Sequence, residues 1–233
     1  MSGHPEIASA GESLSLRRIC SDVGIPNHDG QKMANAIRQM PADAAQKLGQ
    51  RYLTDTGQDR ARFVVDKSLH NFELLGIFAV MFPMAKILHM TRDPMDNCVS
   101  CYLQRLPPAH KYTTSLSAMG HSYVQYRRLM RHWQAVLPND IMTLSYEDMV
   151  ADLEAQARAV INYLGLDWHP NCLNYQDNAN RVQTISITQV RKPIYTSSMR
   201  RWTRYEPFLD PLKAELAPLY PDGFDAPARL TEA

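Results

Sequence analysis

The sequence predicts an α/β fold in which helices cover both faces of a parallel sheet, giving three layers. Three short apolar runs of strand length occur at 62–66, 85–90 and 140–145, and a stretch with helical spacing of apolar residues follows each of them. Strands that alternate with helices are typical of parallel sheets, because a parallel pair needs a crossover connection. Polar residues follow each run directly, which favours a ligand site at the carboxyl ends of the strands.

The length and composition fit one globular domain over residues 1–233, with 217–233 as a tail. Apolar residues make up 45% of the chain and charged residues 21%, so a core can form and disorder is excluded. The 25 basic and 24 acidic residues give a net charge of +1, which argues against a general nucleic-acid or membrane-surface binder. We therefore expect neither nucleic acid nor a membrane among the partners.

Cysteine usage and the N-terminal sequence indicate a cytoplasmic protein. The four cysteines lack the spacing of a secreted disulfide framework, so reduced thiols are the simpler interpretation. The first 20 residues contain no apolar signal-peptide core. The longest apolar run, residues 74–82, is too short to span a bilayer.

The elements can be assigned in chain order. Residues 12–60 are predicted to be helical, because apolar residues recur at helical spacing between Gly and Pro breaks. Beyond them, the predicted helices lie at 71–82, 94–105, 117–137 and 147–164. All but the long helix at 117–137 come directly after a predicted strand, so this arrangement is the strand–helix alternation of a parallel sheet.

Cationic residues stand at the ends of two predicted strands. Lys67 follows the first strand, and Arg92 follows the second, with Ser100 on the helix beyond it. Since the carboxyl ends of parallel strands meet at one edge of the sheet, both cations are expected to face the same crevice. An anionic ligand is the natural partner, held by these cations, a hydroxyl and the N–H groups of a helix N-terminus.

A basic segment lies near the C-terminus. Residues 178–205 contain no acidic residue, although they carry six basic ones: Arg181, Arg191, Lys192, Arg200, Arg201 and Arg204. A solvated basic face is one interpretation. An ordered loop that contacts a ligand is the other, favoured by the aromatic and proline residues among the charges.

Several segments of the sequence resemble the sulfotransferase family. The segment DKSLHNFELLGIFAVMFPMAKILHMTRDPMDNCVSCYLQRL, residues 66–106, is similar to the family core, above all in the bacterial group related to protein-tyrosine sulfotransferases. Three further segments agree in order: HPEIASAGES at 4–13, LSYEDMV at 144–150 and TISITQVRKPIYTSSMRRW at 184–202. The resemblance implies the parallel-sheet fold of P-loop sulfotransferases and kinases. It also implies transfer of a sulfuryl group from 3′-phosphoadenosine 5′-phosphosulfate to an acceptor hydroxyl, with protein tyrosine among the acceptors.

The resemblance also implies roles for individual residues. The matching donor-binding positions are Arg92, Ser100, Tyr146, Ser186 and Arg201. Arg92 and Ser100 match the pair that grips the 3′-phosphate, and a planar guanidinium with a hydroxyl suits a phosphate dianion. Glu12 matches the proposed general base, and Lys67 matches the lysine that neutralises the leaving group. The product would be adenosine 3′,5′-bisphosphate, and no metal is required.

The sequence departs from the family at the phosphate loop. The family pattern PRSGTT should precede the HPEI segment, but only Met1, Ser2 and Gly3 do so, and none of the 10 glycines lies in such an arrangement. We therefore expect the first strand and its loop to be absent. A fragment, a misassigned start and a degenerate homologue are the explanations left open. The alternative function is that of a truncated or degenerate homologue that only binds the donor nucleotide, or has no activity. An incomplete sheet would also encourage a homodimer.

Two further alternatives carry less weight. Cys98 and Cys101 form a CxxC motif that a thioredoxin-like protein could use, but its position inside the predicted 94–105 helix favours helix packing. A related kinase using ATP is disfavoured, because no Walker lysine with a magnesium-binding Asp/Ser pair is recognisable.

Overall fold

The computed structural model of the protein describes residues 1, 3–25, 29–57, 61–104, 106–174 and 198–228. Contacts between Cα atoms group these residues into two compact units. The first unit consists of the described residues within 1–87, 136–142 and 153–174, and the second of those within 88–135, 143–152 and 198–228. The single domain over 1–233 stays a prediction.

The α/β class is confirmed, and strands alternate with helices along the described chain. The strands are β1 (Ile7–Gly11), β2 (Phe63–Asp66), β3 (Ile87–Thr91) and β4 (Ile141–Ser145). The α-helices are α1 (Ser15–Asp22), α2 (Gly30–Gln39), α3 (Ala42–Thr56), α4 (Leu75–Met81), α5 (Pro94–Leu103), α6 (Leu116–Val136), α7 (Tyr146–Ala151), α8 (Leu153–Tyr163) and α9 (Asp210–Leu216). Short 3₁₀ helices lie at Asn71–Leu74, Pro108–Thr114, Pro170–Cys172, Arg201–Phe208 and Ala217–Leu219.

The four strands pair as two two-stranded sheets, β1 with β2 and β3 with β4. β1 and β2 are parallel, with Ile7 opposite Phe63 and Ser9 opposite Val65. In the other sheet the Ile87 N–H donates to the Asp140 carbonyl oxygen at 3.1 Å. The Thr91 hydroxyl donates to the Leu144 carbonyl oxygen at 3.1 Å, so residue numbers rise together and this pair is parallel as well.

The predicted strands at 62–66, 85–90 and 140–145 are confirmed as β2, β3 and β4. β1 was not predicted, and it falls just before and at the edge of the region assigned to helices. Its sequence, IASAG, has one β-branched residue and otherwise small ones, so neither strand propensity nor alternation marks it. The strand forms because its backbone hydrogen bonds to β2 and because Ile7, only 4% exposed, packs inward.

The first unit is held by an apolar cluster between its helices. Buried side chains from α1 to α4 form it: Leu16, Ile19, Cys20, Ile25, Met33, Tyr52, Leu74, Ile77 and Met81. A smaller cluster packs Ile7 of β1 against Ile161 of α8, with Leu166 and Cys172 beyond that helix. Apolar side chains of β1 and β2 therefore pack into this cluster. The side chains that directly follow the two strands, Glu12 and Lys67, remain exposed.

The second unit has its own core, built around α5, α6 and α9. Its buried members are Met95, Cys98, Val99, Met119, Tyr123, Trp202, Leu209, Leu212, Leu216, Leu219 and Tyr220. Residues 217–228, set apart above as part of a tail, contribute Leu219 and Tyr220 to this core. In the described part of the chain, no helix combines the length and the apolar character needed to cross a membrane.

Candidate functional site

The ends of β1 and β2 place Glu12 and Lys67 next to each other. The Lys67 N–H donates to the Gly11 carbonyl oxygen at 2.9 Å, which extends the parallel ladder by one residue. Gly11 has a φ of +69° at a shift in register, a left-handed conformation that glycine adopts without a steric cost. The strands therefore end side by side, and their next residues carry a carboxylate and an ammonium group.

The Lys67 side chain contacts the Glu12 carboxylate directly. Lys67 Nζ lies 2.5 Å from Glu12 Oε1, while 70% of the lysine side chain and 43% of the glutamate side chain remain exposed. Water screens a pair of this kind, so its contribution to stability is small. Both groups are accessible to an incoming molecule.

Side chains below this pair fix the two loops relative to each other. The Ser68 hydroxyl contacts the Ser13 carbonyl oxygen and, at 2.8 Å, Asp66 Oδ1. The buried Tyr52 hydroxyl donates to Asp66 Oδ2 at 2.8 Å. Burial and the neighbouring Asp66 carboxylate raise the pKa of Tyr52, so it stays a neutral donor. The loops that carry Glu12 and Lys67 are thus joined through fixed groups.

In the second unit, Arg92 at the end of β3 is only partly hydrogen-bonded. Its Nη2 donates to the Ser198 carbonyl oxygen at 2.8 Å, and its guanidinium carbon lies 4.8 Å from the centre of the Tyr146 ring. Its Nε is buried and has no hydrogen-bond partner among the described residues. A buried, unpaired N–H group of a cation is costly, so an acceptor oxygen arriving at Arg92 would be bound favourably.

Tyr146 and Ser198 complete this arrangement. Tyr146 begins α7, and its hydroxyl lies 2.8 Å from Ser198 Oγ. The helix starts here because the Ser145 hydroxyl, at the N-cap, accepts from the Asp148 N–H at 3.1 Å. The structure therefore gathers a guanidinium and two hydroxyls at one place, the donor groups that suit a phosphate.

The N-terminus of α5 is fixed by a second set of polar contacts. Asp93 caps the helix by accepting from the Asp96 N–H at 2.9 Å, and Pro94 occupies its first turn. The Tyr220 hydroxyl donates to Asp93 Oδ2 at 2.8 Å, and the Asp93 N–H donates to Glu147 Oε1 at 2.9 Å. Burial raises the pKa of Asp93, and the hydrogen bonds from Asp96 and Tyr220 oppose that shift.

The residues predicted from the sequence are brought together as two pairs. Glu12 meets Lys67 in the first unit, and Arg92 meets Tyr146 in the second. Ser100 lies half-buried on α5, and Arg201 lies exposed at the start of the 3₁₀ helix Arg201–Phe208. Ser186 lies outside the described residues. The roles of these residues stay predictions.

Sequence reasoning missed two residues of the second unit. No role was predicted for Ser198, which falls within the basic segment 178–205, or for Asp96, on the predicted helix at 94–105. The structure places Ser198 on both Arg92 and Tyr146, and it buries Asp96 with both carboxylate oxygens accepting backbone N–H groups. The sequence signal available was the position of Asp96 in the first turn of the predicted helix at 94–105, where a carboxylate is common for reasons of helix stability alone.

Comparison with known proteins finds similarity to sulfotransferases in both sequence and fold. Residues 1–170 match the sequence model of the sulfotransferase family. An uncharacterized protein from Aquifex aeolicus (strain VF5) is 36% identical over 152 residues, which are 64% of this chain and 20% of that protein. The chain thus matches about a fifth of the length of this curated relative.

Two solved structures share the fold. The sulfotransferase domain from the Synechococcus PCC 7002 olefin synthase superposes with a TM-score of 0.61 at 19% identity, covering 87% of this chain and 80% of that domain. The sulfotransferase domain from the curacin biosynthetic pathway superposes with a TM-score of 0.53 at 13% identity, covering 95% of this chain and 89% of that domain. At these identities the likeness concerns the fold.

Proposed function

Because the chain belongs to the sulfotransferase family, we propose that it transfers a sulfuryl group from 3′-phosphoadenosine 5′-phosphosulfate to an acceptor hydroxyl. The observation that carries the proposal is the contact between Glu12 and Lys67 at the ends of β1 and β2. Sulfuryl transfer needs a base for the acceptor proton and a cation for the departing phosphate, and this pair supplies both.

The reaction is a displacement at sulfur. The acceptor oxygen forms a new bond to sulfur as its proton passes to the Glu12 carboxylate. The bond between sulfur and the bridging oxygen breaks on the opposite side, and its electron pair stays on the 5′-phosphate of adenosine 3′,5′-bisphosphate. Lys67 stabilises that growing charge, as cations do in phosphoryl transfer. Because 70% of the Lys67 side chain is exposed, the ammonium group can leave Glu12 for the bridging oxygen without disturbing packed residues.

The group at Arg92 supports an anionic donor. Its guanidinium charge, with an Nε that has no partner among the described residues, and the one hydroxyl proton that Tyr146 and Ser198 do not use between themselves suit a phosphate group. We assign the 3′-phosphate of the donor to this place, because Arg92 is the residue that matches the family position for it. A phosphate monoester should bind here more tightly than a neutral ribose hydroxyl, since its charge complements the guanidinium and its oxygens accept more than one hydrogen bond.

A second candidate is binding of the donor nucleotide without transfer. It is favoured by one sequence observation, that none of the 10 glycines lies in a phosphate-loop arrangement. Such a protein would bind adenosine 3′,5′-bisphosphate through Arg92 and release no product from the phosphosulfate. Binding and turnover therefore have to be measured separately.

The experiment combines calorimetry and a turnover assay. The chain is titrated with adenosine 3′,5′-bisphosphate, and release of that product from 3′-phosphoadenosine 5′-phosphosulfate is followed with a simple phenol as acceptor. Saturable binding that Arg92→Ala abolishes, with turnover that Glu12→Gln abolishes, supports a transferase. Binding without turnover supports the second candidate, and absence of binding overturns both.

A further inference from the structure

We propose that Asp96 is a positioning residue that holds the turn 198–202 against α5 and so presents Ser198 to Arg92 and Tyr146. The effect on donor binding rests on the function proposed above. The hydrogen bonds between Asp96 and the turn do not depend on that function, because every contact involved lies within the second unit.

Asp96 is a buried carboxylate whose hydrogen bonds run to the backbone of a distant segment. It is only 3% exposed, on the first turn of α5. Its Oδ2 accepts from the Arg200 N–H at 2.5 Å, and its Oδ1 accepts from the Trp202 N–H at 3.0 Å. A charge this deeply buried is tolerated only where donors compensate it, so these two bonds explain both its burial and the path of the turn.

The turn has a conformation that needs such a hold. Arg200 has φ +52° and ψ +26°, and it is the non-glycine residue with positive φ among those described. This left-handed conformation is unfavourable for an arginine, because its Cβ approaches the following carbonyl oxygen. Trp202, 3% exposed, inserts into the core two residues later. Asp96 accepts from the N–H groups of Arg200 and Trp202, so it fixes the turn both at the residue with the strained backbone and at the buried tryptophan.

The turn carries Ser198 to the group around Arg92. The Ser198 carbonyl oxygen accepts from Arg92 Nη2 at 2.8 Å, and its hydroxyl lies 2.8 Å from the Tyr146 hydroxyl. Once the turn is released, Arg92 loses the acceptor that orients it. Asp96 then acts on donor binding through Ser198 and Arg92 without touching the donor, which makes it a positioning residue.

The first test follows Trp202 without any ligand. Fluorescence of Trp202 is isolated by Trp133→Phe and Trp168→Phe, which remove the other two tryptophans of the chain. In this background Asp96→Asn should raise quenching of Trp202 by acrylamide several-fold, because the amide cannot accept both N–H groups. Asp210→Asn is the matched control: it makes the same change at an exposed carboxylate in the first turn of α9 and should leave quenching unchanged. Unchanged quenching in Asp96→Asn overturns the hold on the turn.

The second test measures affinity for adenosine 3′,5′-bisphosphate. Asp96→Asn should raise the Kd about tenfold, whereas the rate of transfer at saturating donor stays within about twofold, because the reacting groups are untouched. Raised quenching with an unchanged Kd overturns the positioning role. A wild-type chain that does not bind the nucleotide overturns the proposed donor, while the quenching comparison still decides whether Asp96 holds the turn.

A third measurement needs no variant and covers the case in which Asp96→Asn fails to fold. Amide hydrogen exchange is followed in the wild-type chain at Arg200 and Trp202. Both N–H groups should exchange slowly, because a buried carboxylate accepts them. Fast exchange at both positions overturns the inference.

Discussion

Lys67 Nζ lies 2.5 Å from Glu12 Oε1, although 55 residues separate the two in the chain. They meet because β1 and β2 run parallel and end together, with the Lys67 N–H bound to the Gly11 carbonyl oxygen. An exposed ion pair contributes little to stability, so the chemistry proposed for this pair can be tested by substitution without loss of the fold.

Glu12→Gln should abolish transfer and leave the fold intact. Loss of the base is expected to lower the rate by about 10²- to 10⁴-fold, while the free energy of unfolding changes by less than about 0.5 kcal/mol. The rate is measured in a single turnover, and the stability by urea unfolding. Glu6→Gln is the matched control, since Glu6 belongs to another exposed ion pair of the same unit, with Arg62 at 3.4 Å. Equal rates in the two variants would contradict the role of Glu12.

Arg92→Lys should weaken nucleotide binding although it conserves the charge. An ammonium group cannot reproduce the planar fork that contacts Ser198 and leaves Nε for a ligand. We expect the Kd for adenosine 3′,5′-bisphosphate to rise by at least about tenfold, since hydrogen bonds to charged groups contribute about 1.5–3 kcal/mol. Calorimetry measures this affinity. Arg158→Lys, at an exposed arginine paired with Glu154 on α8, should bind as the wild type does.

The positions of Arg92 and Tyr146 at strand ends could be predicted from the sequence, whereas the contact between Glu12 and Lys67 could not. Arg92 and Tyr146 follow β3 and β4, whose β-branched and apolar runs mark them clearly, and the pairing of these strands brings the two residues together. Glu12 follows β1, whose small residues carry no strand signal. Its contact with Lys67 depends on that unpredicted strand.

The contacts of Asp96 were hidden for a different reason. They depend on Arg200 adopting a left-handed conformation, which the sequence gives no reason to expect of an arginine. Local propensity therefore argues against the turn, and only the buried carboxylate of α5 and the buried Trp202 override it. Tertiary interactions of this kind cannot be found from spacing or composition.

Arg200→Gly should stabilise the second unit. Glycine adopts φ +52° without a steric cost, and the exposed pair of Arg200 with Asp225, at 3.5 Å, contributes little. A gain of about 0.5–1 kcal/mol in the free energy of unfolding is expected, since relief of left-handed strain exceeds the entropy that glycine adds to the unfolded chain. Arg204→Gly, inside the 3₁₀ helix, should instead lower it. Thermal unfolding distinguishes the two, and a loss of stability in Arg200→Gly would contradict the strain.

Tyr220→Phe should destabilise the second unit in a pH-dependent way. The hydroxyl donates to half-buried Asp93, so its removal is expected to cost about 1–3 kcal/mol at neutral pH, where the carboxylate is charged. Burial already raises the pKa of Asp93, and losing this donor raises the pKa further. The penalty should therefore shrink as the pH falls through the folded-state pKa and Asp93 takes up a proton. Urea unfolding across the acid range measures this change, and a penalty independent of pH would show that Asp93 is not its cause.

His89 should make the fold sensitive to mild acid. It is 7% exposed in β3, and burial, followed by the nearby Arg127 charge, lowers its pKa to about 4. In the unfolded chain the imidazole has its ordinary pKa of 6.5, so below that pH the unfolded chain takes up a proton that the folded chain does not. The neutral histidine therefore contributes stability that is fully present above pH 6.5 and lost as the pH falls toward 4. The loss is on the order of 3 kcal/mol when the whole interval is crossed.

His89→Gln removes the titrating group, so its unfolding free energy should vary less between pH 6.5 and 4 than that of the wild type. His132→Gln, at an exposed histidine of α6, serves as the control and should keep the wild-type slope. Equal slopes for the wild type and His89→Gln would contradict the depressed pKa, because the proton uptake on unfolding would then arise elsewhere.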